Sequence, residues 1–306
     1  MKPITSYVRQ IDEAQGSALE QRLRQKGWTF REVPHARFAA EGTQVNMVLY
    51  ESGKLVVQGK GTEEFVRFTL EPEILGRAEL GYEDVLHPER KLPRLGVDES
   101  GKGDLFGPLC VAGVYVNATI AAAWKEAGVR DSKVIGGDQQ IGRLADLIRG
   151  TPGCVFSVVP IGNAAYNRLH AKLASVNKIL AWGHARVIEN LMGQRHRMDP
   201  PPVRAVIDQF ASHQSVVLNA LMRDGQCLEI IQRHKAESDL AVAAASILAR
   251  DEFVRRLRRL GEEQGMPFPK GAGQAANTAL KAWVERHGRD RLTEVAKCHF
   301  RNTLMQ

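Results

Sequence analysis

Apolar positions along the chain change their rhythm near residue 92. Before it, short β-rich runs alternate with turns: residues 28–33, 45–50 and 55–59 read as strands, and Ser52-Gly53 between the last two is a hairpin turn. Val8, Ile11, Leu19 and Leu23 predict an amphipathic helix over 5–26, best defined from Gln15 onward and stopped by Gly27. A helical segment over 63–70 precedes Pro72. These elements make a small α+β domain, assigned to residues 1–85, with no cluster of acids, histidines or cysteines of its own. The stretch 78–91, with Gly81, Pro88 and the charged Glu89-Arg90-Lys91, breaks periodicity as a linker does.

Beyond it the pattern is α/β, and residues 86–306 form the second domain. Apolar runs ending at Val97 and spanning 109–116 are buried strands. Helices are expected over 121–127, 138–148, 163–173 and 177–192, the last with Ala181, Ala185, Ile188 and Leu191 as one stripe. Strands are expected over 154–159, 203–207 and 227–232, with a short helix at 216–222. A long helix over 239–264 carries the small residues Ala243, Ala244, Ala245 and Ser246, suited to close packing on a sheet or a substrate backbone. Such alternation indicates a mixed sheet flanked by helices.

Charge changes the picture modestly: 42 Lys+Arg against 35 Asp+Glu give +7, which favours a polyanionic partner such as nucleic acid. Arg255, Arg256, Arg258 and Arg259 decorate the end of the long helix, as a solvated face or a nucleic-acid contact. Cys110, Cys154, Cys227 and Cys298 lack any C-x-x-C spacing, which argues against zinc and a disulfide framework and fits a reducing cytoplasm. The longest apolar stretch, 240–249, is too short to span a bilayer, and the first residues lack the apolar core of a signal peptide, so a cytoplasmic location is expected.

The chemistry concentrates in Leu95 to Leu109, L-G-V-D-E-S-G-K-G-D-L-F-G-P-L. Asp98 and Glu99 end an apolar strand, and paired acids there suit a hard divalent cation. Gly101-Lys102-Gly103 follows at once, and its glycines let backbone N–H groups approach a phosphate. A nucleotide-binding P-loop fits poorly. Gly103 occupies the position of its hydroxyl, two acids sit inside the loop, and no helix follows. Hydrolysing a phosphodiester with divalent ions needs several carboxylates brought together from distant positions. Asp208 at a strand end and Glu237 before the Ala-rich helix are the remaining candidates, each readable alone as a turn-starting or helix-initiating acid. Asp239, two residues on, is an alternative fourth acid or the cap of that helix. The nine histidines are scattered without catalytic spacing.

The run D-E-S-G-K-G-D-x-x-G-P-L resembles the type 2 ribonucleases H, and GKG in place of GRG resembles their ribonuclease HIII branch. Asp131-Ser132-Lys133, Tyr166-Asn167, Ala181-Trp182-Gly183-His184-Ala185, Val206 to Phe210, Lys235-Ala236-Glu237-Ser238, Ala243 to Arg250, Pro269-Lys270-Gly271-Ala272 and Lys297 to Thr303 match in the same order. The resemblance implies a ribonuclease H-like mixed sheet with an N-terminal domain similar in fold to the TATA-binding protein, which holds an RNA–DNA hybrid. Arg31, Arg37, Lys54 and Lys60 are its available cations, with Tyr50 and Phe38 as sugar or base contacts. It further implies a monomer that cuts the RNA strand with Mg2+ or Mn2+, leaving 5′-phosphate and 3′-hydroxyl ends. Asp98, Glu99 and Asp208 become direct metal ligands, and the K-A-E spacing selects Glu237 to complete the second metal site or orient the water. Ser100, Gly101, Lys102 and Gly103 form the loop that reads the 2′-hydroxyl, and Ser132 and Lys133 contact phosphate. His299 is the histidine to watch. Cleavage at single ribonucleotides in duplex DNA, and hybrid binding without catalysis, are the alternatives.

Overall fold

Ten strands separate into two five-stranded sheets in a computed structural model that describes residues 4–77, 79–80, 91–208, 220, 225–233 and 236–300. The chain divides into the compact units Met1–Arg90 and Lys91–Gln306. The expected boundary at residue 85, most of the expected linker and all but residue 220 of the expected helix at 216–222 lie outside the described residues. No helix among the described residues is long and apolar enough to cross a membrane.

The first unit is an antiparallel sheet of order β1-β5-β4-β3-β2, comprising β1 (Ser6–Gln10), β2 (Thr29–Arg31), β3 (Ala36–Gly42), β4 (Val45–Tyr50) and β5 (Lys54–Gln58). Residues 6–10 are a strand and not the start of a helix. Ser-Tyr-Val-Arg-Gln alternates in burial and pairs with β5, Tyr7 opposite Val57. Helix α1 (Glu13–Gln25) begins only after Asp12, which accepts from the Gln15 amide at 2.8 Å while the Gln15 side chain accepts from the Asp12 amide. Strand β3 has no counterpart in the expected pattern. The hairpin at Ser52-Gly53 joins β4 to β5, with Gly53 at φ 79°. Helix α2 (Thr62–Phe65) continues as a π-helical segment, Val66–Leu75, through Pro72, beyond the expected stop.

Leu19 and Leu23 of α1 lie fully buried against Met47, Leu49, Leu55 and Val57, each burial stabilising the unit by about 2 kcal/mol. Phe38 belongs to this core, with its ring 5.8 Å from that of Phe30, and so is not available as a surface contact. Arg31, Arg37, Lys54 and Lys60 are exposed.

The second unit has the order β10-β9-β6-β7-β8. Its strands are β6 (Arg94–Ser100), β7 (Leu109–Val116), β8 (Phe156–Ile161), β9 (Arg204–Asp208) and β10 (Glu229–Arg233). Strands β6, β9 and β10 are mutually parallel, and β7 runs against them between β6 and β8, pairing antiparallel with both. The helices are α3 (Ala118–Glu126), α4 (Asp138–Gly150), α5 (Asn163–Leu173), α6 (Val176–Met192), α7 (Leu240–Gln264), α8 (Gln274–His287) and α9 (Leu292–Val295). The last two were not expected. With Phe106, Phe253 and Leu257 they enclose a second core around Trp283.

Small residues set how closely helices approach the sheet. A Cβ on Gly96 of β6 would lie 2.1 Å from the Ala241 carbonyl carbon, so α7 presses its backbone on the central strand, and Ala243, Ala244 and Ala245 are buried there. Another helix packs on β7 through Val187 and Leu191, which a Cβ on Gly113 would strike at 2.4 and 2.9 Å.

Candidate active site

Parallel pairing brings the acids together. Register pairs Val97 of β6 with Ile207 of β9, so the next residues, Asp98 two positions before the end of β6 and Asp208 at the end of β9, lie side by side at the same edge. A short 3-10 turn, Ala236–Ser238, leads into α7 and carries Glu237. The Ala236 amide donates to Asp208 Oδ1 at 3.1 Å, which ties this turn to the end of β9.

Each acid has a distinct environment. Asp98 is buried and accepts from the Glu99 amide at 2.8 Å. Burial, the Glu99 charge and, more weakly, Asp208 push its carboxyl up to about 8, against the pull of that amide and of Ser246. Burial also pushes Glu99 up, but the hydrogen bond and charge of His184, together with Lys102 and Lys133, outweigh it and hold the group below its ordinary value. His184 Nε2 lies 3.0 Å from Glu99 Oε2, and Lys102 Nζ 3.8 Å from Oε1. Lys133 Nζ lies 3.9 Å from Glu237 Oε1, while Glu237 Oε2 is buried with no hydrogen-bond partner.

Asp239 is engaged elsewhere. It caps α7 by accepting from the Ala241 amide at 2.9 Å, and both its oxygens lie 2.9 Å from Arg94 Nε, with Arg233 at 3.2 Å. Arg94 and Asp239 are both buried, so this ion pair is part of the packing between β6 and the start of α7.

The loop after the acids depends on glycine. Gly101 has φ 92°, and a Cβ there would lie 2.3 Å from the Pro108 carbonyl oxygen. Gly103 differs, since a Cβ there would meet nothing within 4 Å; it leaves space open above the loop. Ser100 ends β6 half-buried, and Lys102 and Gly103 are exposed. In the Asp131-Ser132-Lys133 turn, Asp131 accepts from the Lys133 amide at 3.0 Å. The Ser132 hydroxyl points inward and shares a 2.5 Å hydrogen bond with Ser246. Lys133 is therefore the member of that turn that faces the acids, with a side chain 67% exposed.

As they stand, no three acidic, histidine or cysteine side chains among the described residues converge at metal-ligand spacing. Glu99 lies against His184 and Glu237 against Lys133. The residues fit a hard divalent ion in other respects. The donors are carboxylate oxygens, one of them buried and unpartnered, and the crowding of negative charge around Asp98 is what a cation relieves.

His299 stacks on His170 at 5.0 Å and lies 5.4 Å from the Tyr166 ring; burial, helped by His170 and Lys297, depresses it to about 4. His184 is the site residue that spacing did not single out. Its signal was a lone polar side chain in the apolar stripe of α6, where it is fully buried.

The family described as Ribonuclease HII matches residues 95–303, and a domain of unknown function, DUF3378, matches residues 6–75. A ribonuclease HIII of Protochlamydia amoebophila is 40% identical over 98% of this chain and 96% of its own length. One from Chlamydia pneumoniae is 42% identical over 92% of each. The crystal structure of Bst-RNase HIII in complex with Mn2+ superposes with a TM-score of 0.67 at 30% identity, covering 98% of this chain and 97% of that one. RNase H3 of Aquifex aeolicus, at 24% identity and a TM-score of 0.55 over 96% of this chain and all of its own, shares the fold.

Proposed function

The chain belongs to the ribonuclease HIII family, and from that premise we propose that it cuts the RNA strand of RNA–DNA hybrids at the edge where β6, β9 and the start of α7 meet, leaving 5′-phosphate and 3′-hydroxyl ends. It is an endoribonuclease, and its family works with divalent metal. Mg2+ or Mn2+ is the proposed ion, the latter favoured by the Mn2+ complex of Bst-RNase HIII. The observation that carries the reading is the register that sets Asp98 beside Asp208, with Glu237 bound to the same edge through the Ala236 amide.

Asp98, Glu99 and Asp208 would hold the metal directly, and Glu237 would complete the second metal site or orient the attacking water. Bound there, divalent ions supply stabilisation of charge on the phosphate and a water deprotonated near neutral pH. The protein's own part is to fix the acids on rigid strand ends and to bring in the phosphate. Lys133 and Lys102 face the acids and would neutralise the incoming backbone. Ser132, with its hydroxyl held by Ser246, would seat Lys133. Metals act on DNA and RNA phosphates alike, so selectivity needs a reader of the 2′-hydroxyl. The Ser100 to Gly103 backbone would be that reader, with the open space at Gly103 admitting the ribose.

The N-terminal unit would hold the hybrid through exposed Arg31, Arg37, Lys54 and Lys60. The same reading makes the enzyme a cytoplasmic monomer. The test is one gel assay with hybrid, single-ribonucleotide duplex and plain DNA, each with Mg2+, Mn2+ or chelator. Multiple cuts in the hybrid, none in DNA and none with chelator are expected. Preference for the single ribonucleotide would reassign the activity to the ribonuclease HII type.

A further inference from the structure

Lys297 is fully buried, and among the described residues its ammonium meets no carboxylate at hydrogen-bond distance. Arg94, by contrast, lies against Asp239. The Lys297 ammonium donates to the carbonyls of Asp104 at 2.8 Å and Gly107 at 2.6 Å, with Phe106 at 3.5 Å, and lies 5.8 Å from the Tyr166 ring centre. All three carbonyls belong to residues 104–107, the return of the Gly101-Lys102-Gly103 loop toward β7.

Docking the C-terminal stretch beside this loop does not need the ammonium. The Lys297 amide already donates to the Leu105 carbonyl at 2.9 Å, and Ala296 bridges Phe106. A second attachment comes from Gly271, whose amide donates to Asp104 Oδ1 at 2.6 Å and whose carbonyl accepts from Leu105. Burying a charge out of hydrogen-bond reach of an opposite one is unfavourable. Here it depresses the ammonium to about 8. An apolar side chain of the same length would fill the space without that cost. What only the ammonium does is draw three backbone carbonyls onto one point, since it has three donors and no acceptor.

The geometry points to Lys297 as a positioning residue for RNA selectivity: it fixes the return of the loop, and through it the backbone of Gly101 to Gly103 that reads the ribose. This rests on the proposed reading of that loop as the 2′-hydroxyl reader.

The test uses the full-length protein in chelator, where no cleavage occurs, and compares affinities for an RNA–DNA hybrid and a DNA duplex of the same sequence. Lys297→Met should lower the preference for hybrid about tenfold, the worth of one or two lost hydrogen bonds, and speed amide exchange at residues 101–107. Lys297→Gln, which keeps N–H donors without the charge, should recover part of the preference and carries the test if the Met variant fails to fold. Gly103→Ala, whose added methyl enters open space, reports on the loop reading itself and should also lose preference. Preference lost in Gly103→Ala but kept within twofold in folded Lys297 variants would overturn the role of Lys297 and leave the loop reading standing. Preference unchanged in all three would remove both.

Discussion

In the N-terminal unit the ion pairs lie at the surface: Arg22 with Glu73, Arg24 with Glu20, Arg37 with Glu13. In the second unit the charged groups that matter are enclosed: Arg94 with Asp239, Glu99 with His184, and Lys297 among carbonyls. Exposed pairs of this kind are individually weak, so no single one is decisive in a unit whose 12 Lys+Arg stand beside 14 Asp+Glu. Enclosed groups interact strongly because water is absent, and each is tied to one geometry. The second unit is thus suited to positioned chemistry, and the proposed hold of the first on a hybrid would rest on particular exposed cations such as Arg31, Lys54 and Lys60.

The largest effects fall in the enclosed set. Asp98→Asn or Asp208→Asn should reduce hybrid cleavage to background while hybrid affinity, measured in chelator, stays near wild type, because phosphate contacts are spread over other residues. Turnover near wild type in either variant would break the contrast between the units.

Next comes the pair Glu237 and Asp239, two residues apart with opposite duties. Glu237→Gln should depress the rate by orders of magnitude at an unchanged melting temperature. Asp239→Asn keeps a side-chain oxygen that can cap α7 but removes the charge from one side of a buried ion pair, and should cost about 3 to 5 kcal/mol of stability while the folded protein still cuts. Paired rate and melting measurements decide, and the reverse pattern would move the fourth acid to Asp239.

Deleting residues 1–90 should weaken hybrid affinity severely and flatten its salt dependence, because cations that release counterions are lost. The remaining unit keeps its own core and all four acids. A salt titration that overlays that of the full chain would show that the first unit is no binding surface.

A smaller effect concerns pH. Lys297 titrates near 8 in the folded protein against an ordinary value near 10.5, so between these values the unfolded chain holds a proton that the folded one lacks. Stability should therefore rise with pH across that window, relative to Lys297→Met. Asp104, Cys110, Tyr166 and His299 face the ammonium and remain in both proteins, so the difference between them isolates the lysine. Parallel stability curves from pH 8 to 10.5 would contradict its depressed titration.

Much of the second unit was legible because its signals are local. A buried strand carrying two acids and an Ala-rich helix opening on Asp239 each show in a short window. The family resemblance then joined positions that no window connects. What stayed hidden depends on distant partners. Residues 6–10 form a strand because β5 is there to pair with, and an amphipathic spacing of Val8 and Ile11 misreads them as helix. The inward turn of Ser132 is set by Ser246, and the place of His184 by Glu99. Lys297 entered only as the first residue of a stretch resembling the family, since nothing near it in sequence announces three carbonyls from residues 104–107.

The most direct measurement is a calorimetric titration of Mn2+ into the nucleic-acid-free protein, wild type beside Asp208→Asn and Glu237→Gln. Saturable binding by the wild type, lost in Asp208→Asn and weakened in Glu237→Gln with all three proteins folded, is the predicted result. Equal binding by the three would contradict the assignment of the metal to the edge shared by β6, β9 and the start of α7.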